Sequence, residues 1–408
     1  MRVASTFTML LVMTLVGCAG DGSFAPAATP PPAPTPPLST GPASCTAGIA
    51  GEFQCSGISL NKRVSLERMG GGGGNDIWGW LDTQSGKEYA LMGMTNGTAF
   101  VDLSDPEEPV FLGRLPTQTV ESVWRDIKVY QDHAYIVADN AGAHGMQVFD
   151  LTRLRGLVAP QTFSADIVYG DFENAHNIAI NEESGFAYAA GTNTCGGGLH
   201  IIDIRTPNNP LFAGCHSNVG THDTQCVIYQ GPDAAYLDRE VCINSNRDHV
   251  EIVDVTLKSA PVTISSATYP QLGLAHQGWL TEDHRFFLLG DEHDERDFGV
   301  PTRTHVFDVT DLDAPEYIFA YEAKTVAADH HLYVLGNHVF EANFSAGLRV
   351  LEFGDLGNRE LKEIAFFDTL PANDYLFGSG AWSVYPYFPS GTIIVSDLTN
   401  GLFILSMQ

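Results

Sequence analysis

The chain has 408 residues and a formal charge of −28, with 49 acidic against 21 basic side chains and a pI near 4.6. Such acidity argues against nucleic acid and anionic membrane faces as partners, because both are recognised through clustered Lys and Arg. Forty-one glycines, 22 prolines and 44% hydrophobic residues supply turns and core together, the balance of an exported all-β protein.

The first segment, MRVASTFTMLLVMTLVGCAG, carries one basic residue, a short apolar run and then Leu15-Val16-Gly17-Cys18. Residues 1–17 read as a lipoprotein signal peptide with Cys18 as the acylated residue; the alternative is an ordinary secretory signal with a chance cysteine. The apolar run is too short for a transmembrane helix. Ala19 follows the cysteine where retained lipoproteins often carry Asp, which favours the outer membrane or cell surface, with membrane contact through the lipid on Cys18 alone. Residues 18–44 are rich in Ala, Pro and Thr and read as a semi-rigid tether. Residues 45–74 form a cysteine-containing lead-in. It ends in the run MGGGGGNDIW, which lacks the strand, helix and Lys that make a Gly-rich loop bind phosphate, and reads as a flexible connection.

From residue 75 to 408 the chain repeats. The segments GTAFVDLSDPEEP, GMQVFDLTRLRGL, GLHIIDIRTPNNP, VEIVDVTLKSAP, THVFDVTDLDAP and GLRVLEFGDL put Asp102, Asp150, Asp203, Asp254, Asp308 and Glu352 at intervals of 48, 53, 51, 54 and 44 residues, and GLFILSMQ is a seventh, degenerate copy. Periods of about 40–50 residues belong to propeller blades. The apolar runs are four or five residues long and mostly β-branched or aromatic, so they are strands. The predicted fold is all-β, a seven-bladed β-propeller of ~48-residue repeats over residues 75–408. The recurring aspartates read as turn closers, whose carboxylates fold back onto nearby backbone N–H groups, rather than as catalytic acids.

With Cys18 set aside, six cysteines remain: Cys45, Cys55, Cys195, Cys215, Cys226 and Cys242. Proximity favours pairing them in that order as three disulfides in an oxidising compartment, and the absence of any CxxC pair weakens a zinc–thiolate alternative.

The chemically informative residues open the first strand of each repeat. Aligned segments begin at Ile77, Arg125, His176, His222, His276, His330 and Trp382, so four consecutive blades carry histidine in one phase. First strands line a propeller's channel, so these four should meet in space. The next positions, Asp126, Asn177, Asp223, Gln277 and His331, are polar and would line the same channel. Imidazoles with nearby carboxylates suit a divalent transition metal, zinc, copper, nickel or iron. The competing reading is that each histidine ties its blade to the next by a hydrogen bond. The loop GDEHDERD offers Asp291, Glu292 and Asp294 as oxygen ligands for calcium, although it matches an EF-hand loop poorly and a solvated loop is the plainer reading. No nucleophile elbow, HExxH or Ser/His/Asp arrangement is recognisable, and no catalytic residue is assigned.

The stretches GNDIWGW, GKEYALMG, WRDIKVY, THDTQCVIYQGPD, AHQGWLTEDHRFFLLGDE and GAWSVYPYFPSGTIIVS resemble the bacterial choice-of-anchor B family, whose members carry LVIVD-type repeats. The resemblance spans roughly residues 69–408. Two departures are local: GLAHQGW stands where Tyr-Thr more usually precedes the histidine, and DHHLYV has His331 where Asn is more usual. The resemblance implies an exported, surface-anchored protein and no particular reaction. The expected function is therefore a monomeric binding or scaffold module for a surface protein, a glycan or a small ligand. The alternative is a metal-dependent hydrolase, lactonase- or esterase-like, acting at the channel mouth.

Overall fold

Seven sheets carry the fold, in a computed structural model that describes residues 40–217, 220–371 and 376–408. The segment read as a signal peptide, Cys18 and all but the end of the expected tether lie outside the described residues. The first strands of the blades are Gly74–Asp82, Arg125–Tyr130, Asn177–Asn181, Asp223–Ile228, Ala275–Leu280, His331–Leu335 and Ala381–Tyr385. Each heads a sheet whose repeat-derived strands are antiparallel, and each touches the first strands of the blades on either side, the seventh touching the first. The ring is closed, as predicted: an all-β, seven-bladed β-propeller.

The expected boundary at residue 75 is corrected. Strand Ile58–Val64 pairs antiparallel with the last strand, Gly401–Met407, and completes blade 7, which otherwise has three strands. Strand Phe53–Ser56 adds to the outer edge of blade 6 and brings Phe53 against Phe367 and Phe403. Residues 45–74 are therefore part of the propeller. The physical reason is that blade 7 would otherwise expose an unpaired edge, and the N-terminal strand covers it. The Gly-rich run is also more constrained than a flexible link: Gly74 is already in strand, and a Cβ there would sit 2.3 Å from the carbonyl oxygen of Asp397.

Apolar side chains fill the wedges between blades. One cluster, around Phe100, Ile136 and Phe149, joins blades 1 and 2. Another, around Ile243, Ile252 and Phe287, joins blades 4 and 5. The repeated aspartates do close turns: Oδ1 of Asp102, Asp150, Asp203, Asp254 and Asp308 accepts the N–H of the residue two further on at 2.8–3.1 Å. Glu352 has a longer arm and instead takes Lys362 at 2.8 Å. The disulfides are Cys45–Cys55, Cys195–Cys215 and Cys226–Cys242, the last between directly opposed residues of blade 4.

Closure through residues 58–64 has a direct test. Leu60 is 1% exposed and pairs with Leu405. Leu60→Ala should lower the unfolding free energy by about 2–4 kcal/mol, as for other buried leucines. Equilibrium urea denaturation measures it; an effect below about 0.5 kcal/mol, typical of surface changes, would mean that the strand is not integral to the fold.

Candidate functional site

First strands of neighbouring blades do not pair as a ladder, so side chains must tie them. Asp76 Oδ2 accepts the Ile127 N–H at 3.0 Å, and Asp126 Oδ2 accepts that of Ile178 at 2.7 Å. Asn177 donates to the His222 carbonyl at 3.0 Å, Gln277 accepts from the Leu332 N–H at 2.8 Å, and His331 Nδ1 meets Ser383 Oγ at 3.0 Å. Four of the five channel-polar residues read from the sequence are thus inter-blade ties. Asp223 is the exception. Gln225 makes blade 4's tie to Leu280, leaving the Asp223 carboxyl to take only its neighbour's N–H.

The histidines form an arc at the end of the channel where the first strands begin. Ring centroids are 4.3 Å apart from His176 to His222, 4.3 Å from His222 to His276 and 4.5 Å from His276 to His330. His222 donates through Nδ1 to the carbonyl of His276, His276 to that of His330, and His330 to that of Trp382, at 3.1, 2.8 and 2.6 Å. A carbonyl only accepts, so Nδ1 carries the proton in each and Nε2 keeps a lone pair. His176 differs, pairing through Nδ1 with Asp139 at 3.0 Å.

All four line one small void at the axis, but their ligand atoms do not all come within 4.8 Å of one another. The compact group is His276, His330 and His331, whose ligand atoms lie within 4.8 Å of one another. His331 thereby moves from a lining residue to a candidate ligand, while His176 and His222 stand further round the arc. The shift arises because consecutive residues of blade 6 both face the hub, their rings 4.1 Å apart. Glu292 Oε2 lies 3.5 Å from His276 Nε2. Burial, reinforced by neighbouring imidazoles, holds His222, His276 and His331 well below the usual histidine range, and burial takes His330 down to about 3. All are neutral at pH 7, the form that coordinates metal. Together these residues can hold a transition metal.

The calcium expectation is also redistributed. Glu292 turns toward His276, whereas Asp291 and Asp294 gather with His305, their ligand atoms within 4.8 Å of one another.

At the opposite mouth, where the first strands end, is a cavity of about 440 Å³ that the sequence did not reveal. Trp78, Trp279 and Tyr333 form its aromatic wall, with Tyr333 edge-on to both indoles at 5.6 and 5.0 Å. Lys128, Asp223, Gln225 and Gln277 supply polar groups, and Glu182 and Glu282 stand at the rim. Lys128 Nζ bonds Asp126 at 2.5 Å, lies 3.7 Å from Asp76 and sits 4.6 Å from the Trp78 ring centre. Burial opposes its charge, but Asp126 and Asp76 outweigh that and hold its pKa above the ordinary lysine value. Asp223 opens on the cavity and is otherwise enclosed by protein. That enclosure, with the charge of Asp126, pushes its carboxyl up to about 8.

No protein-family model and no curated protein matches the chain. Solved structures do. The β-propeller domain of Cps50 (Swd1) from Myceliophteria thermophila is 11% identical with a TM-score of 0.54, covering 86% of this chain and all of that one. A candidate 6-phosphogluconolactonase from Bacteroides fragilis is 11% identical with a TM-score of 0.51, covering 73% of this chain and 85% of that one. Hydrazine synthase from Kuenenia stuttgartiensis is 11% identical with a TM-score of 0.54, covering 78% and 91%. The class these likenesses define is the β-propeller. At such identities they concern fold alone.

Asp223 yields a pH prediction. Unfolded, its carboxyl titrates near 3.8; folded, near 8. Between these values the folded state binds the extra proton, so this group's contribution to stability falls as pH rises from about 4 to 8. Asp223→Asn removes that loss. It should be more stable than the parent at pH 8 and lose the advantage toward pH 4, as followed by urea denaturation across that range. Parallel pH profiles for the two proteins would mean that the carboxyl titrates normally.

Proposed function

We propose that this chain is an exported, lipid-anchored propeller of the choice-of-anchor B type that acts as a binding module at the bacterial cell surface. It takes a small neutral, polyhydroxylated ligand such as a glycan end in the cavity lined by Trp78, Trp279 and Tyr333. The cavity itself carries the reading: about 440 Å³ of concave space with aromatic faces and a few convergent amides and carboxyls. Apolar ring faces cover the C–H surfaces of such a ligand while Gln225, Gln277 and Asp223 exchange hydrogen bonds with its hydroxyls. An anionic ligand is disfavoured, since Lys128 is already engaged by Asp126 and carboxylates stand at the rim. A transition metal on His276, His330 and His331 would then stiffen the other mouth. Around that triad the void leaves about 10 Å³ for the centre of a water-sized sphere, enough for an ion or one water and not for a substrate.

The runner-up is hydrolysis of an ester or lactone in the cavity, for which the raised Asp223 carboxyl is the supporting observation, a general acid poised near neutral pH. The small void at the histidines argues against a metal-activated water as its nucleophile.

Separate experiments test each part of the proposal. Calorimetric titration with neutral mono- and disaccharides should give saturable binding that Trp279→Ala weakens by roughly tenfold or more, in line with loss of an aromatic anchor. Absence of binding across the panel, with turnover of esters or lactones that Asp223→Asn abolishes, would replace the binding reading with the hydrolase. For the anchor, Cys18→Ser should move the protein from the membrane fraction to the soluble one; an unchanged distribution would remove the lipid from the proposal. Elemental mass spectrometry of the purified protein should find a near-stoichiometric transition metal that His276→Ala with His330→Ala reduces.

A further inference from the structure

Blade 5 holds a second cluster of titratable groups that neither the cavity nor the histidine arc uses. It lies where strand Phe286–Asp291 gives way to the short helix Asp294–Phe298. Four carboxyl groups are buried there: Asp291 and Asp294 completely, Glu295 and Asp329 to 3% and 6% exposure. Arg303 is the basic partner, with Nε and Nη2 donating to Asp294 Oδ2 at 2.7 and 2.6 Å. Four carboxylates against one guanidinium cannot all remain ionised out of water without a further positive charge.

The hydrogen bonds divide these groups into two kinds. Asp291 is fully engaged: Oδ1 accepts the N–H groups of Leu274, His293 and Asp294, and Oδ2 accepts the Tyr269 hydroxyl and the Gly273 N–H, all at 2.6–3.0 Å. The others are not. Asp294 Oδ1, both oxygens of Glu295 and Asp329 Oδ1 have no donor, and His305 Nδ1 has no partner although its Nε2 is 3.3 Å from Asp294 Oδ2. Buried polar atoms almost always find partners, so five without one in a single locality call for a missing species. Asp291, Asp294 and His305 offer atoms within 4.8 Å of one another, the span of ligands about a single ion bound at roughly 2.3–2.6 Å.

We propose that this cluster is a buried site for a hard divalent cation of the calcium class, centred on Asp291, Asp294 and His305, with the donorless carboxylates of Glu295 and Asp329 supplying further charge and oxygens to it. Oxygen dominates the donor set, which separates it from the imidazole triad and its preference for borderline metals. The ion would fasten helix Asp294–Phe298 to the segment entering blade 6. Asp329 directly precedes His330 and His331, and Glu292 follows Asp291 and faces His276, so the filled site would steady the arc from behind. The competing arrangement is a proton shared between the Asp294 and Glu295 carboxyls, with no ion.

The mature protein, stripped by chelator and dialysed, is titrated with calcium chloride while its melting temperature is followed. A parallel titration with Tb³⁺ reads luminescence excited through tyrosine, since Tyr269 is bonded to Asp291. Calcium should raise the melting temperature by several degrees, and it should displace sensitised terbium. Glu295→Gln keeps the shape and removes one charge; it should lose the calcium-dependent shift yet melt higher than the parent when both are metal-free. Asp329→Asn should also lose the shift, and His276→Ala with His330→Ala should retain it, which keeps this test independent of the triad. No calcium shift and no sensitised emission in the parent would overturn the site, as would an undiminished response in Glu295→Gln. A higher-melting Glu295→Gln beside an unresponsive parent would assign the pair to the shared proton instead.

Discussion

The structure depends on how first strands that lack a mutual ladder are held side by side around a hub. Apolar wedges bring the blades together but are non-directional, and they do not fix the height of one blade against the next. That register comes from side chains reaching across to backbone: Asp76 to Ile127, Asp126 to Ile178, Asn177 to His222, Gln225 to Leu280 and Gln277 to Leu332. Each satisfies a backbone group that would otherwise be buried and alone. A polar layer in the hub is therefore a structural necessity, and a carboxyl there is available for acid–base chemistry only when it is excused from that duty. Asp223 is excused because Gln225 has taken the bond.

The same constraint gives the two mouths different characters. Where the first strands begin, bulky histidines and tryptophans crowd the axis and leave room for no more than an ion. Where they end, large aromatic side chains line an open cavity. Between them lies the buried Asp76–Lys128–Asp126 group, in which one ammonium serves two carboxylates. Burial pushes the Asp76 carboxyl well up. Asp126 is held down because Lys128 and the Ile178 N–H outweigh its burial. That group adjoins both mouths: Lys128 sits against Trp78 in the cavity, and Asp76 Oδ1 lies 3.7 Å from His331 Nδ1.

Much of the fold was legible because it repeats. A period near 48 residues, strand-length apolar runs and an aspartate closing the same turn in each copy are local signals, and each acts locally in the structure. Residues 58–64 were not legible as a blade strand: ISLNKRV lacks the repeat's aspartate, and its partner is more than 300 residues away. Phase alone found the histidine arc, because first strands do line the hub. Phase could not say which imidazoles approach within ligand distance, since that depends on two consecutive residues of blade 6 both facing inward. The aromatic cavity gave no sequence signal at all. Trp78, Trp279 and Tyr333 come from blades 1, 5 and 6, and each read only as a strand residue.

The histidine arc also dissolves the choice between a structural and a metal-binding reading. Donation from Nδ1 to the next blade's carbonyl is the bond that fixes register, and a bond of the same kind orients a metal-ligating imidazole and leaves Nε2 bare. One contact therefore serves both purposes. A hub built this way needs no metal to close, yet it presents rigid, neutral, correctly tautomeric ligands at no further cost in side-chain order. What separates His276 and His330 from His222 is then only the presence of His331 close enough to share an ion. In this propeller the step from scaffold to candidate metal site is a single extra imidazole.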